Sequence, residues 1–182
     1  MTSPIRVLLV DDHTLFRSGV RALLARQAEI DVVGEAENGP EGVKLAASLN
    51  PDVVLLDLNM PGLSGVETLQ LLLQDAPQRA VVMLTVSEDA DDLARALRAG
   101  ARGYLLKNIN ADFLVNAIRR AADGESVMSE AMTAKLMAQF RQGGASPAPA
   151  VSEADKHTPR EREIMVFIAR GDSNKEIART LD

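Results

Sequence analysis

Short aliphatic segments alternate with longer amphipathic segments along the first 126 residues of the chain. Five of the short segments are rich in Val, Ile and Leu: IRVLLV at 5–10, DVVGEA at 31–36, DVVLLD at 52–57, AVVMLT at 80–85 and GYLLK at 103–107. Continuous apolar runs of this length are typical of parallel strands that are covered on both faces. The segments between them carry apolar residues at helical spacing, so the pattern predicts five strands alternating with helices.

This strict alternation predicts an α/β fold, with a flavodoxin-like doubly wound sheet of five parallel strands in a first domain of residues 1–126. Gly100 and Gly124 stand where two of the predicted helices end, a position that glycine often takes. We therefore expect helices on both faces of the sheet, joined to the strands by right-handed crossovers.

The pattern changes after residue 126. Residues 127–156 hold one more predicted helix, at 129–140, and then a segment rich in Gly, Ala, Pro and Ser that is typical of flexible linkers. Met132, Leu136 and Phe140 recur four residues apart on this helix. We interpret them as the packed face of a linker helix in preference to a dimer interface. Residues 157–182 form a third, short unit.

Polar residues follow four of the predicted strands. Asp11 and Asp12 come after the first, Asp57 ends the third, Thr85 ends the fourth and Lys107 ends the fifth. Each has a simple local explanation, such as a helix cap for Asp12, an Asx turn for Asp57 or strand propensity for Thr85. Because the carboxyl ends of parallel strands share one edge of the sheet, we expect these side chains to converge.

Three carboxylates at one apolar edge repel each other and raise one another's pKa values unless a cation joins them. Ligands that are all oxygen atoms favour Mg²⁺, which is often completed by a phosphate. A carboxylate can also attack a phosphoryl group and form an aspartyl-phosphate. In that chemistry Asp57 is the nucleophile, Lys107 and Mg²⁺ neutralise charge on the transferred group, and the Thr85 hydroxyl bonds to one of its oxygens.

The motifs LLVDDH, LLDLNMPGLSG, MLT and GYLLK resemble, in order and spacing, the receiver domain of bacterial two-component response regulators. The segment VDDHTLFRSGVRALL is similar to the NarL/FixJ subfamily. The resemblance implies that Asp57 accepts a phosphoryl group from a sensor histidine kinase, and that the protein is a switch and not an enzyme with turnover. It also implies that Mg²⁺ binds to Asp11, Asp12, Asp57 and the backbone carbonyl of Asn59.

Two further expectations come from the resemblance. Thr85 and Tyr104 would form a switch pair, in which the threonine moves toward the phosphoryl group and the aromatic ring turns inward. A homodimer is expected as well. Many relatives have proline after the lysine, with a cis bond, whereas this chain has Asn108, for which we expect the trans form.

The third unit, HTPREREIMVFIARGDSNKEIARTLD, has two capping boxes that begin helices, Thr158 with Glu161 and Ser173 with Glu176. It resembles the opening of the LuxR-type helix-turn-helix domain. The recognition helix of that domain would come next, and the sequence ends at Asp182. We therefore expect a truncated form of a transcription factor in preference to a natural short protein that has lost its output. Its tail is expected to be disordered or to pack on the receiver or on another chain, with DNA binding only in a full-length form.

The composition of the chain bears on where the protein is located in the cell. The net charge is −6, so the chain as a whole does not coat nucleic acid. It has no cysteine, and its N-terminal apolar run is too short for a signal peptide, so we predict a cytoplasmic protein without a membrane partner.

Two other functions compete with the response-regulator interpretation. One is a haloacid-dehalogenase-like phosphatase, which needs a second aspartate where Asn59 stands. Another is a receiver that acts as a scaffold without phosphorylation.

Overall fold

The computed structural model describes the backbone of residues 2–144 and the side chains of residues 2–142. Strands and helices alternate in it: β1 Ile5–Val10, α1 Thr14–Ala25, β2 Ile30–Ala36, α2 Gly39–Leu49, β3 Val53–Leu56, α3 Gly65–Asp75, β4 Ala80–Thr85, α4 Ala90–Arg98, β5 Gly103–Leu106, α5 Ala111–Ala122, β6 Val127–Met128 and α6 Glu130–Gly144. The predicted flexible linker after α6 and the unit 157–182, with the expectation of a disordered or packed tail, lie outside the described residues.

All neighbouring strands are parallel, in the order β2-β1-β3-β4-β5-β6. This order confirms the flavodoxin-like doubly wound fold. The expectation of five strands is wrong, because β6 adds a sixth strand at the edge, where Val127 pairs with Gly103 and Met128 with Tyr104. Two residues are too few to show a periodic pattern, so the sequence did not reveal this strand.

Alternate residues of each strand point to opposite faces of the sheet and enter two separate cores. On β1, Val7 and Leu9 pack with residues of α1 and α5, whereas Leu8 and Val10 pack with residues of α2, α3 and α4. Because both faces are covered by helices, most positions of the central strands are apolar, which explains the continuous Val, Ile and Leu runs.

Helix α6 belongs to the second of these cores. Met132 and Leu136 are fully buried there, and Phe140 is partly buried against the same cluster. The interpretation of this stripe as the packed face of a linker helix is therefore confirmed. The division between the predicted first domain and the linker at residue 126 stays a prediction, although β6 and α6 both extend the packed structure beyond that residue.

Local signals set the helix boundaries where the sequence placed them. Ser64 and Glu67 form a reciprocal capping box at the start of α3, and the Asp89 side chain accepts a hydrogen bond from the Asp91 N–H at the start of α4. Gly100 and Gly124 follow α4 and α5 with φ angles of +103° and +91°.

Among the described residues all peptide bonds are trans, including the one before Asn108, as expected from the sequence. None of the described helices combines the length and the apolar character that a membrane crossing requires.

Gly65 allows α3 to start against the end of β3. Its N–H donates a hydrogen bond of 2.9 Å to the Leu58 carbonyl. A Cβ atom at this position would lie 2.4 Å from the Asp57 carbonyl oxygen and 2.5 Å from Leu58 Cα. The lack of a side chain at Gly65 therefore determines how closely the loop after β3 folds back under Asp57.

We expect Gly65→Ala to destabilise the protein by roughly 1–3 kcal/mol, because the added methyl group meets backbone atoms that cannot move away easily. Urea denaturation measures the change in the free energy of unfolding. The matched control is Gly19→Ala in the exposed interior of α1, where a Cβ would meet no described atom within 4 Å. That control should stabilise by about 0.5–1 kcal/mol, since alanine favours the helix. Equal effects of the two changes would contradict the close approach.

Candidate functional site

Four neighbouring strands bring the predicted polar residues to one edge of the sheet. Asp11 directly follows β1, Asp57 follows β3 and Lys107 follows β5, while Thr85 is the last residue of β4. The Asp57 N–H donates to the Val10 carbonyl over 2.9 Å, and the Lys107 N–H donates to the Thr85 carbonyl over 2.8 Å. These bonds continue the strand ladders by one residue, so the functional side chains start from rigid backbone.

Lys107 is the cation nearest to the two buried aspartates. Its Nζ lies 2.8 Å from Asp11 Oδ2 and 3.5 Å from Asp57 Oδ2. It also lies 4.6 Å from the centre of the Phe16 ring, a distance that allows a cation–π contact. The Asp57 side chain is only 2% exposed. The ammonium group thus offsets part of the cost of keeping this carboxylate away from water.

His13 lies closer to the acids than the sequence suggested. Its Nδ1 is 3.1 Å from Asp11 Oδ1, 3.2 Å from Asp12 Oδ1 and 3.6 Å from Asp57 Oδ2. In the sequence, His13 directly follows Asp12, which predicts a neighbour of the acidic pair near the surface and not a metal ligand. The ring is 61% exposed and thus lies at the rim of the site, with one nitrogen among the carboxylates. Its position directly after Asp12 was the only signal for this role.

The pKa of Asp57 is raised from its usual 3.8 to about 6. Burial is the main cause, because it penalises the charged form, and the negative charge of Asp11 raises the pKa further. Lys107 and the N–H of Asn59, which lies 3.4 Å from Asp57 Oδ1, lower the pKa. Asp57 is thus mostly ionised at neutral pH, as a nucleophile must be, and its proton is held more firmly than in an exposed aspartate.

Two buried carboxylate oxygens of this cluster, Asp12 Oδ1 and Asp57 Oδ2, receive no hydrogen bond from the described residues. An anionic oxygen without a donor is costly to bury, so the cluster favours an added cation. Ligand atoms from Asp11, Asp12, His13 and Asp57 all lie within 4.8 Å of one another. Carboxylate oxygens are the ligands that Mg²⁺ prefers, so the residues present fit a divalent cation.

Thr85 and Tyr104 are connected through one residue, Ser87. The buried Thr85 Oγ1 accepts a hydrogen bond of 3.1 Å from the Ser87 N–H. The Tyr104 hydroxyl donates to the Ser87 carbonyl over 3.0 Å. Burial raises the pKa of Tyr104 to about 12, so the hydroxyl is a neutral donor at ordinary pH. Any movement of Thr85 therefore acts on the same residue that holds the tyrosine ring.

The segment after Ser87 contacts the linker helix. Lys135 of α6 donates from Nζ to the Glu88 carbonyl over 3.1 Å, and its Nζ lies 3.7 Å from the Glu88 carboxylate. Gln139 donates from Nε2 to the Asp91 carboxylate. The segment after β4, whose Ser87 bonds to both Thr85 and Tyr104, is therefore also in direct contact with α6.

Two family models match this chain. The model described as the response regulator receiver domain matches residues 7–119, and the model described as bacterial regulatory proteins, luxR family, matches residues 156–182. The chain belongs to the response regulators. It is a transcription regulator of two-component signalling, with a receiver domain and a LuxR-type DNA-binding domain, and is not a classical enzyme.

Relatives and solved structures agree with this assignment. The nitrate/nitrite response regulator protein NarL of Escherichia coli strain K12 is 46% identical over 98% of this chain and 82% of its own length. A two-component response regulator of the LuxR family from Aurantimonas sp. SI85-9A1 superposes with a TM-score of 0.72 at 32% identity, covering 77% of this chain and 99% of that one. The signal receiver domain of NarL from Mycobacterium tuberculosis gives 0.64 at 33% identity, covering 68% and 99%.

We expect the stability of the metal-free protein to depend on pH through Asp57. Since its pKa is raised, its contribution to stability is full below 3.8 and is lost as the pH rises through about 6. Asp57→Asn stays neutral, so it should be more stable than the parent chain by roughly 1–3 kcal/mol near neutral pH, and by almost nothing near pH 4. Urea denaturation in EDTA at both pH values measures this difference.

The control for this experiment is Asp31→Asn, which changes an exposed carboxyl in β2 and should leave the pH profile of stability as in the parent chain. If the gain in Asp57→Asn were the same at both pH values, the raised pKa of Asp57 would be wrong. Added Mg²⁺ should stabilise the parent chain more than Asp57→Asn, because the variant lacks one of the carboxylates.

Proposed function

We propose that Asp57 is the residue at which this response regulator accepts a phosphoryl group from the phosphohistidine of a sensor histidine kinase. The observation that carries the proposal is the buried Asp57 Oδ2, which receives no hydrogen bond from the described residues although Lys107 Nζ lies 3.5 Å away. A nucleophilic oxygen must keep a free lone pair, and the cation beside it can meet the incoming negative charge.

In the transfer, an oxygen of the Asp57 carboxylate forms a bond to phosphorus while the bond between phosphorus and the kinase imidazole nitrogen breaks. The imidazole leaves with the electron pair of that bond. Lys107 donates to the phosphoryl oxygens, where negative charge is spread during transfer. The Thr85 hydroxyl then serves as a further donor to the phosphoryl group. Water later hydrolyses the aspartyl-phosphate, and we propose no other reaction for the protein.

We propose Mg²⁺ as the cation of this site, held by the carboxylates of Asp11, Asp12 and Asp57 and by the backbone carbonyl of Asn59. The undonated oxygens on Asp12 and Asp57 support this ligand set. When bound, Mg²⁺ neutralises charge on the carboxylates and on the phosphoryl group. His13 Nδ1 lies among the same oxygens, and we propose it as a neighbour of the site and not as a ligand, because Mg²⁺ prefers oxygen ligands.

Thr85 and Tyr104 are the proposed switch. When the Thr85 side chain turns to donate its hydroxyl proton to the phosphoryl group, its oxygen moves away from the Ser87 N–H, so the loop that bonds to Tyr104 shifts. Because Lys135 of α6 bonds to Glu88 in this loop, the shift reaches the linker helix. The output is DNA binding by the LuxR-type domain in full-length form, with a homodimer as the proposed assembly and the cytoplasm, where the DNA lies, as its location.

Acetyl phosphate with Mg²⁺ should add one phosphoryl group to the chain, because the site carries its own nucleophile and cations. Intact mass spectrometry measures the gain, and hydroxylamine should reverse it, as expected for an acyl phosphate. Asp57→Ala should abolish the gain, whereas Asp31→Asn should keep it. Phosphorylation that persists in Asp57→Ala would overturn the assignment, and steady turnover of a small phosphomonoester would favour the phosphatase that Asn59 argues against.

Tyr104 provides a direct optical test of the switch, since the chain has one tyrosine and no tryptophan. The Tyr104 ring is already fully buried in this structure, and phosphorylation should change its fluorescence, because a shift of Ser87 moves the carbonyl to which the Tyr104 hydroxyl donates. Thr85→Ala should still take up the phosphoryl group, more slowly by roughly tenfold or less, but should lose most of the fluorescence change. An unaltered change in Thr85→Ala would show that Thr85 does not connect the site to Tyr104.

A further inference from the structure

Arg17, on α1, is a buried cation that the proposed phosphoryl transfer does not use. It is only 7% exposed. Nη1 donates a hydrogen bond of 2.5 Å to the backbone carbonyl of Asp11. Arg17 also lines the same pocket as Asp11 and Asp57. A buried charge is costly to maintain, so its contacts indicate what it does.

The other guanidinium nitrogens of Arg17 pair with acids of β2 and of the loop after it. Nε lies 3.3 Å from Glu35 Oε1, and Nη2 lies 3.2 Å from Glu37 Oε1. These two carboxylates compensate the positive charge of Arg17. The hydrogen bond to the Asp11 carbonyl therefore contributes mainly by fixing the orientation of that carbonyl. A planar guanidinium that has acids beside two of its nitrogens points its third nitrogen along a defined line.

The bond to the Asp11 carbonyl controls the peptide group between the two adjacent acids. That carbonyl and the Asp12 N–H belong to one planar unit, so holding the oxygen sets the orientation of the whole plane. On the other side, the Asp11 N–H donates to the Ala36 carbonyl of β2 over 3.0 Å. The peptide groups on both sides of Asp11 are therefore held, and with them the directions in which the Asp11 and Asp12 side chains leave the backbone.

We infer that Arg17 is a positioning residue for the divalent cation site, because its bond to the Asp11 carbonyl orients the carboxylates of Asp11 and Asp12 toward Asp57. The inference rests on the proposed function, since it deepens the account of the same site. Without the guanidinium, the buried Asp11 carbonyl loses this donor and its peptide plane can rotate. The carboxylates of Asp11 and Asp12 then no longer share one preferred arrangement.

The test compares Mg²⁺ affinity in Arg17 variants by isothermal titration calorimetry on the full chain. Arg17→Met keeps a long unbranched side chain and removes every donor. It should weaken Mg²⁺ binding by about 10-fold or more, the usual effect of losing a group that orients a ligand. Arg17→Lys keeps the charge but has a single nitrogen for three partners, so its affinity should fall between those of the parent chain and Arg17→Met.

Two controls separate positioning from general damage. Arg21→Met removes an exposed arginine of the same helix that also pairs with Glu35, and it should leave Mg²⁺ affinity within about twofold of the parent value. Leu24→Ala removes a fully buried side chain of α1 about two helical turns beyond Arg17, so it destabilises the fold and should leave the affinity unchanged. Urea denaturation without metal records the stability of each variant.

A second readout is the rate of phosphorylation by acetyl phosphate at a series of Mg²⁺ concentrations. Arg17→Met should need about 10-fold more Mg²⁺ for half of its maximal rate, while the maximal rate itself changes little, because Arg17 does not touch the reacting atoms. A lower maximal rate at an unchanged Mg²⁺ requirement would contradict a positioning role.

Mg²⁺ affinity in Arg17→Met within twofold of the parent chain would overturn the inference, and so would an equal loss in Leu24→Ala. If Arg17→Met does not fold, Arg17→Lys decides, and an unchanged affinity there overturns the inference. Failure of the proposed function can be distinguished from failure of this inference, because it would be observed in the parent chain as well. If the parent chain neither binds Mg²⁺ nor takes a phosphoryl group at Asp57, the function and the inference both fall.

Discussion

The burial of negative charge at the edge of the sheet is the constraint that organises this molecule. Asp57 stands at the end of a fully apolar strand, next to Asp11, and burial and repulsion together raise its pKa. Carboxylates in such a place are stable only if cations lie beside them. Lys107, which is itself nearly buried, supplies one such positive charge. The oxygens of Asp12 and Asp57 that receive no hydrogen bond from the described residues can also be ligands of a divalent cation.

The parallel topology is what makes that concentration of charge possible. β1, β3, β4 and β5 are neighbours, so residues far apart in sequence arrive at one edge with their backbones already held by ladder hydrogen bonds. The close contact between Gly65 and the end of β3 fixes the path of the chain under Asp57. From below, Arg17 holds the peptide between the two adjacent acids. The site is therefore supported by the scaffold on several sides, which holds its side chains in a defined arrangement.

The same region contacts the part of the molecule that leads toward the output domain. Ser87 bonds to both Thr85 and Tyr104, and the next residue, Glu88, accepts a hydrogen bond from Lys135 of α6. Because Met132 and Leu136 anchor α6 in the core, this helix is a rigid element and can respond as a unit. Thr85 and Tyr104, the proposed switch pair, are thus connected to α6 through directly bonded neighbours.

The sequence by itself determined the strand and helix order, because buried parallel strands need continuous apolar residues and helix ends need caps that are local in sequence. It also predicted which residues lie at one edge of the sheet, since Asp11, Asp57, Thr85 and Lys107 each stand at the end of a strand. Only the tertiary structure decided the short strand β6, the place of His13 among the carboxylates, and the bonds from Arg17 and Lys135. Those features depend on contacts between residues distant along the chain, whose energies leave no periodic trace in the sequence.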